Sequence, residues 1–208
     1  MNLLIILLMF TAFWLTRTTD LRNAVTVFLV QSAMVAAACL VVGAETGETH
    51  FFLAALLTLV IKAVLIPYAL YRIVGRLRRE REEESLLSPN YSSLAAAFAV
   101  VLAYGFIDRA LPGVISRDAL AAAMSLILIG LQIIIIRHQA VLQIVGLSTL
   151  ENGLYLVSLS VTKGLPLIIE FGILLDVLIA VVVLVILTYR LKISWLSTDT
   201  SLLQKLKG

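Results

Sequence analysis

The sequence predicts an all-α polytopic membrane protein with about seven transmembrane helices, on three observations. Of its 208 residues 61% are hydrophobic, and the mean hydropathy of +1.05 lies far above that of a soluble domain. The apolar runs reach the length needed to cross a bilayer's hydrocarbon layer. They are unbroken, unlike the short alternating strands of a membrane β-barrel. The lysines and arginines are all but confined to the segments between these runs.

Taken in order, the spans are expected at about 2–16, 23–43, 51–73, 92–107, 118–136, 139–160 and 166–188. The first has no preceding basic cluster and no small-residue cleavage site, so it reads as an uncleaved helix. The second carries Gln31 and the single cysteine, Cys39. The third holds Lys62, with Pro67 five residues on to kink it. A charged loop, RIVGRLRREREEESLLSPN, follows; it reads as a solvated extension of the third helix ending before Pro89. The fourth span is short and Ala-rich, and a six-helix reading would lose it or the first. The alanines at 95–97, 99, 119 and 121–123 permit close helix approach. After the last span comes a mildly amphipathic tail (191–208).

Charge sets the orientation. The loops after the first, third and fifth spans, with the tail, hold twelve basic residues, among them Arg17, Arg72, Arg137 and Arg190; the other side holds Arg109, Arg117 and Lys163. The rule that basic loops stay inside puts the N-terminus outside and the C-terminus in the cytoplasm. The net charge of +3 is loop charge and implies no nucleic-acid partner. One cysteine cannot hold an iron–sulfur cluster or a structural zinc, and His50 and His138 fall at opposite faces, so no redox centre is expected in this chain. No phosphate loop, nucleophile motif or metal-ligand cluster points to a self-contained enzyme.

The chemistry is concentrated in polar groups inside the spans. A charge near the bilayer centre costs about 2.5–3.5 kcal/mol on insertion scales, so such groups face a protein interior or a water-filled cavity. In the sixth span Ser148, Glu151, Tyr155 and Ser158 recur at helical spacing on one stripe, with Asn152 beside it. The stripe reads as the lining of a hydrated path or as a buried helix contact. In the seventh, Asp176 falls near the midplane, and Glu170 lies about 9 Å nearer the outside and about 120° around the helix. Lys62 is the only base inside a span and cannot snorkel out, so it needs a carboxylate; Glu151 and Asp176 are the candidates. Gln31, Gln132 and Gln143 read as weaker signals, since membrane amides often serve as interhelical glue.

Two stretches carry a family resemblance: IIRHQAVLQIVGLSTLENGLYL, a short basic turn before a Gly-Leu helix start and an acid–Asn pair, and LLDVLIAVVVLVIL with its acid. They resemble the small three-helix subunit of respiratory complex I and Mrp-type sodium/proton antiporters (the NuoK/MrpC-like fold). The resemblance divides the chain into an N-terminal four-helix part (1–117) with its loop 74–90 and a three-helix part (118–190), and with the four further helices the whole chain resembles component E of hydrogenase-4-type complexes. Ser148 stands where the complex I subunit usually has its first key glutamate; Glu151 comes one turn later, about 4.5 Å along and about 60° around. Asp176 stands at the position of its second.

The resemblance implies a non-redox membrane-arm subunit of a complex-I-related assembly in a bacterial or archaeal inner membrane. Its neighbours would be antiporter-like subunits and the subunit that docks the hydrophilic redox arm. The nickel–iron site and iron–sulfur clusters would lie in partner subunits only. Glu151 and Asp176 would relay protons or another cation, with Lys62 as a modulating partner, Glu170 as an outer station, and Ser148, Asn152, Tyr155, Gln143 and Gln132 in support. Two other readings stay open: a scaffold whose acids are neutral and buried, and a stand-alone transporter, which predicts internal repeats that the sequence does not show.

Overall fold

A computed structural model describes residues 2–75, 81–82, 85–110, 117–161, 179 and 182. They are helical almost throughout: α1 (Asn2–Arg17), α2 (Leu21–Thr46), α3 (Thr49–Leu57), a π-helical segment (Thr58–Leu65), α4 (Ile66–Val74), α5 (Pro89–Ala110), α6 (Arg117–Ile136) and α7 (Ala140–Val161). The segments from Thr49 to Val74 run on as one span. Among the described residues five helices are long and apolar enough to cross a membrane; α1, at 16 residues, is shorter. The expected span 166–188, with Glu170 and Asp176, lies outside the described residues except for Ile179 and Val182. Ile179 belongs to the core.

Local chemistry fixes the turns. Asp20 caps α2 by accepting from Asn23 N at 3.1 Å. Gly47 ends α2 in the left-handed region, at φ 74°, where a side chain would be strained. Pro89 opens α5, where its missing N–H is no loss. The third span departs from the expected simple kink. Its turns widen over eight residues before Pro67, and the wide segment closes with Ile66 N donating to Ile61 O, five residues back. Wide turns relieve the clash of a proline ring with the carbonyl four residues earlier.

The core is a seam of small residues flanked by aliphatic ones. The alanines from 119 to 123 are buried along α6, which packs most extensively on α7. Glycines let the two backbones meet. A Cβ on Gly130 would lie 2.7 Å from Gly146 O and against the backbone of Leu150, and one on Gly153 would lie 2.8 Å from Ala123 O.

One end of the bundle collects the basic loops and holds a buried clamp. There the charged loop does more than extend the third helix into solvent, and the expectation is corrected. Glu82 turns back and is 7% exposed. One of its carboxylate oxygens accepts from Arg137 at 2.8 Å; the other accepts from His138 N and Gln139 N at 2.8 and 3.1 Å. Arg137 also donates to Thr16 O, and Glu82 N donates to Thr19 O. The carboxylate therefore does two jobs: it neutralises a guanidinium out of water and satisfies N–H groups ahead of α7. Breaking one side of a buried pair costs about 3–5 kcal/mol. Glu82→Ala is accordingly expected to lower the thermal midpoint of the purified protein far more than Glu82→Gln, which keeps an acceptor. Equal melting of both variants with the wild type would show the clamp to be dispensable.

Candidate functional site

The third span and α7 each place an ionisable residue near mid-length. Lys62 lies 13 residues from the start of its span and 12 from the end; Glu151 lies 11 from the start of α7 and 10 from its end. By helical rise each is about 15 Å or more from either end. Both side chains have no exposed surface, and Lys62 Nζ lies 2.9 Å from Glu151 Oε2. Of the two carboxylates open to Lys62 from the sequence, Glu151 lies against it. Asp176 and Glu170 lie outside the described residues.

Lys62 is held on two further sides. Its Nζ donates to Asn152 Oδ1 at 3.0 Å and lies 5.2 Å from the centroid of the Tyr155 ring, within cation–π range. Asn152 Nδ2 passes the chain on to Gln31 Oε1 at 3.0 Å, and Gln31 Nε2 donates to Thr11 Oγ1 at 3.4 Å. Thr11 Oγ1 in turn donates to Leu8 O at 2.8 Å. Every bond in this series runs from donor to acceptor in one direction, from an ammonium on the third span to a backbone carbonyl of α1. Such a polarised chain strengthens its members cooperatively. Thr149 Oγ1 lies 3.1 Å from Gln31 Oε1 and 2.9 Å from Val145 O, and its single proton serves one of them at a time.

The helical stripe of α7 is fully enclosed: Ser148, Glu151, Asn152, Tyr155 and Ser158 are all buried. The hydroxyls of Ser32, Thr58 and Ser148 are buried too and make no hydrogen bond with another described residue. Thr58 precedes Lys62 by one turn, Ser148 precedes Glu151 by one turn, and Ser32 adjoins Gln31. Gln132 and Gln143 stand apart from this cluster. Gln132 ties α6 to α5 by donating to Ser92 O at 2.7 Å, and Gln143 donates to Arg137 O at 2.8 Å beside the clamp. Among the described residues no three His, Cys, Asp or Glu side chains converge on a point where a metal would sit.

Three participants are not among the site residues picked out from the sequence. Gln31 is the junction of the amide chain rather than incidental glue. Thr11 and Thr149 give little sign of their part, because each hydroxyl also bonds its own helix three or four residues back. The π-helical segment is a further feature that the sequence did not single out: wide turns are rare and recur at functional positions, and this one contains Lys62.

Comparison with known proteins gives two kinds of relative. The chain is 32% identical over 192 residues to the uncharacterized protein Rv0085 of Mycobacterium tuberculosis, covering 90% of this chain and 87% of that one. It is 30% identical over 149 residues to hydrogenase-4 component E of Escherichia coli K12, and equally to that of Shigella flexneri, covering 71% of this chain and 69% of each. No protein-family model matches the sequence. No solved structure matches it either.

Proposed function

The chain belongs to the hydrogenase-4 component E family, and from that premise we propose that it is a membrane-arm subunit, with no redox centre of its own, of a hydrogenase-4-like, complex-I-related assembly. Its part there is to contribute buried charged groups to proton or cation translocation driven by redox chemistry in partner subunits. The nickel–iron site and iron–sulfur clusters belong to those partners. The neighbours are antiporter-like subunits and the membrane subunit that docks the redox arm. The setting is the inner membrane, with the clamp end in the cytoplasm.

The observation that supports this reading best is the enclosed Lys62–Glu151 pair at mid-membrane. Replacing a buried ion pair by apolar residues is often neutral or stabilising, so packing alone gives little reason for one here. The amide chain through Asn152 and Gln31 positions Lys62 but does not conduct, since an amide N–H is not a proton carrier at neutral pH. The titratable end is Glu151, and the hydroxyls of Ser148, one turn before it, and Thr58, one turn before Lys62, are free to extend it. A charge arriving from a neighbouring subunit would draw Lys62 toward or away from Glu151. A carboxylate without its cation at that depth is stable only when protonated. Movement of one cation thereby becomes uptake or release of a proton. Asp176 and Glu170 are assigned to the same path as further stations.

Glu151→Gln tests this directly. It removes the titratable group and keeps size and hydrogen bonding. In inverted vesicles containing the intact assembly, the variant is expected to retain assembly and redox turnover but lose most redox-driven ion movement. Unchanged ion movement per electron would overturn the relay and leave a scaffold.

A further inference from the structure

We propose that the trough between α1 and the start of α5 is a binding site for an anionic phospholipid, with the phosphate on Arg17 and an acyl chain along Trp14 and Phe10. The trough has a volume of about 570 Å³ and is lined by Phe10, Phe13, Trp14, Arg17, Thr18 and Ser93. That lies inside the range of roughly 300–1,000 Å³ for small-molecule sites.

The lining is ordered along the membrane normal. Phe10, Trp14 and Arg17 succeed one another at i, i+4 and i+7 on one face of α1. The rings of Phe10 and Trp14 pack at 5.9 Å between centroids and form a wall, while 60% of Phe10 and 54% of Trp14 stays exposed. Arg17 closes the trough at the end of the bundle where the basic loops gather. Passing from that end toward the middle, the surface therefore offers a cation, then an indole at interfacial depth, then a phenyl ring. This is the order of a phospholipid, phosphate first and hydrocarbon last, and Trp is the residue favoured at the junction.

Charge selects the class of headgroup. The hydroxyls of Thr18 and Ser93 donate their protons to Trp14 O and Pro89 O, so neither is a free donor toward a phosphate. Arg17, exposed and without an ion pair among the described residues, supplies the donors and the charge. Basic pockets between helices on the cytoplasmic side suit anionic headgroups, each Lys or Arg near the surface contributing about 1 kcal/mol. A protein helix in the same place would have to bring its own anion to Arg17 and leave room for both exposed rings. The lipid needs no such coincidence. The site is separate from the Lys62–Glu151 cluster, and its assignment does not depend on the role given to that cluster.

The test uses the intact assembly in nanodiscs and a photoactivatable phosphatidylglycerol carrying its reactive group in the acyl chain. Peptide mass spectrometry after illumination is expected to find label on the segment containing Phe10 and Trp14. A phosphatidylcholine analogue of the same chain length should label it about fivefold less, the ratio that corresponds to one Arg near the surface. Arg17→Gln should lower the phosphatidylglycerol signal to the phosphatidylcholine level, and Arg17→Lys should hold most of it. Equal labelling by the two lipids in the wild type would overturn the headgroup assignment. No labelling by either would show that a partner's helix fills the trough. Both readings come from the wild-type assembly, so they stand even where Arg17→Gln fails to assemble.

Discussion

Lys62→Met is expected to be among the most damaging single substitutions in the chain, and a second substitution at Glu151 is expected to undo much of the harm to stability. The methionine is close in length to lysine and apolar, so packing changes little. What changes is that Glu151, with no exposed surface, loses the ammonium 2.9 Å away. Removing one partner of a buried pair costs about 3–5 kcal/mol. Asn152 Oδ1 also loses its donor, and with it the start of the series that ends on α1. Lys62→Met should therefore lower the yield of assembled complex and its thermal midpoint. Adding Glu151→Gln removes the uncompensated carboxylate and supplies an amide that can donate to Asn152. The double variant should recover a large share of the lost stability, because residues in contact are strongly non-additive. Ion movement separates the roles: a relay keeps the stable double variant inactive, whereas a scaffold restores it along with stability. Lys62→Met assembling and coupling like the wild type would show that the pair matters for neither.

The helices were legible because apolar runs of this length have few other uses. The first six expected spans coincide with helices to within a few residues at most ends, and Pro89 and Gly47 mark their boundaries as turn chemistry requires. The polar stripe on α7 was legible from its spacing. The contact of Lys62 with Glu151 was not. Two carboxylates at similar depth satisfy the same sequence argument; α2 packs against both the third span and α7, and Lys62 reaches Glu151 at 2.9 Å, while Asp176 lies outside the described residues. Glu82 was hidden for a different reason. In a run such as RREREEE every residue looks solvated, and Glu82 turns inward because of an unmet need elsewhere, at Arg137 and the N–H groups before α7. Gln31 was visible but undervalued, since a lone amide in a span carries no mark of how many partners it will find. The π-helical turns had only Pro67 as a sign, and a proline alone predicts a kink rather than eight residues of wide turns.

Gly130→Val is the second substitution from which a large effect is expected, and it acts on the site without touching it. The Cβ it introduces would fall 2.7 Å from Gly146 O and from Leu150 Cα, and still closer to Leu150 N. These are backbone atoms inside a helix and have no rotamer to give way, so α6 and α7 must separate. Overpacking in cores costs about 1–3 kcal/mol where side chains can adjust, and more is expected where they cannot. Leu150 precedes Glu151, so the displaced segment of α7 is the one that presents the carboxylate to Lys62. Gly105 supplies the control. It lies in α5 with nothing within 4 Å of an added Cβ. Gly105→Ala should be neutral or stabilising by up to about 1 kcal/mol, from helix propensity alone. The thermal midpoint should then fall for Gly130→Val and stay or rise slightly for Gly105→Ala. If Gly130→Val instead melts with the wild type, the close approach of α6 and α7 is not what holds Glu151 in place, and the position of the pair must be set from the side of α2 and the π-helical segment.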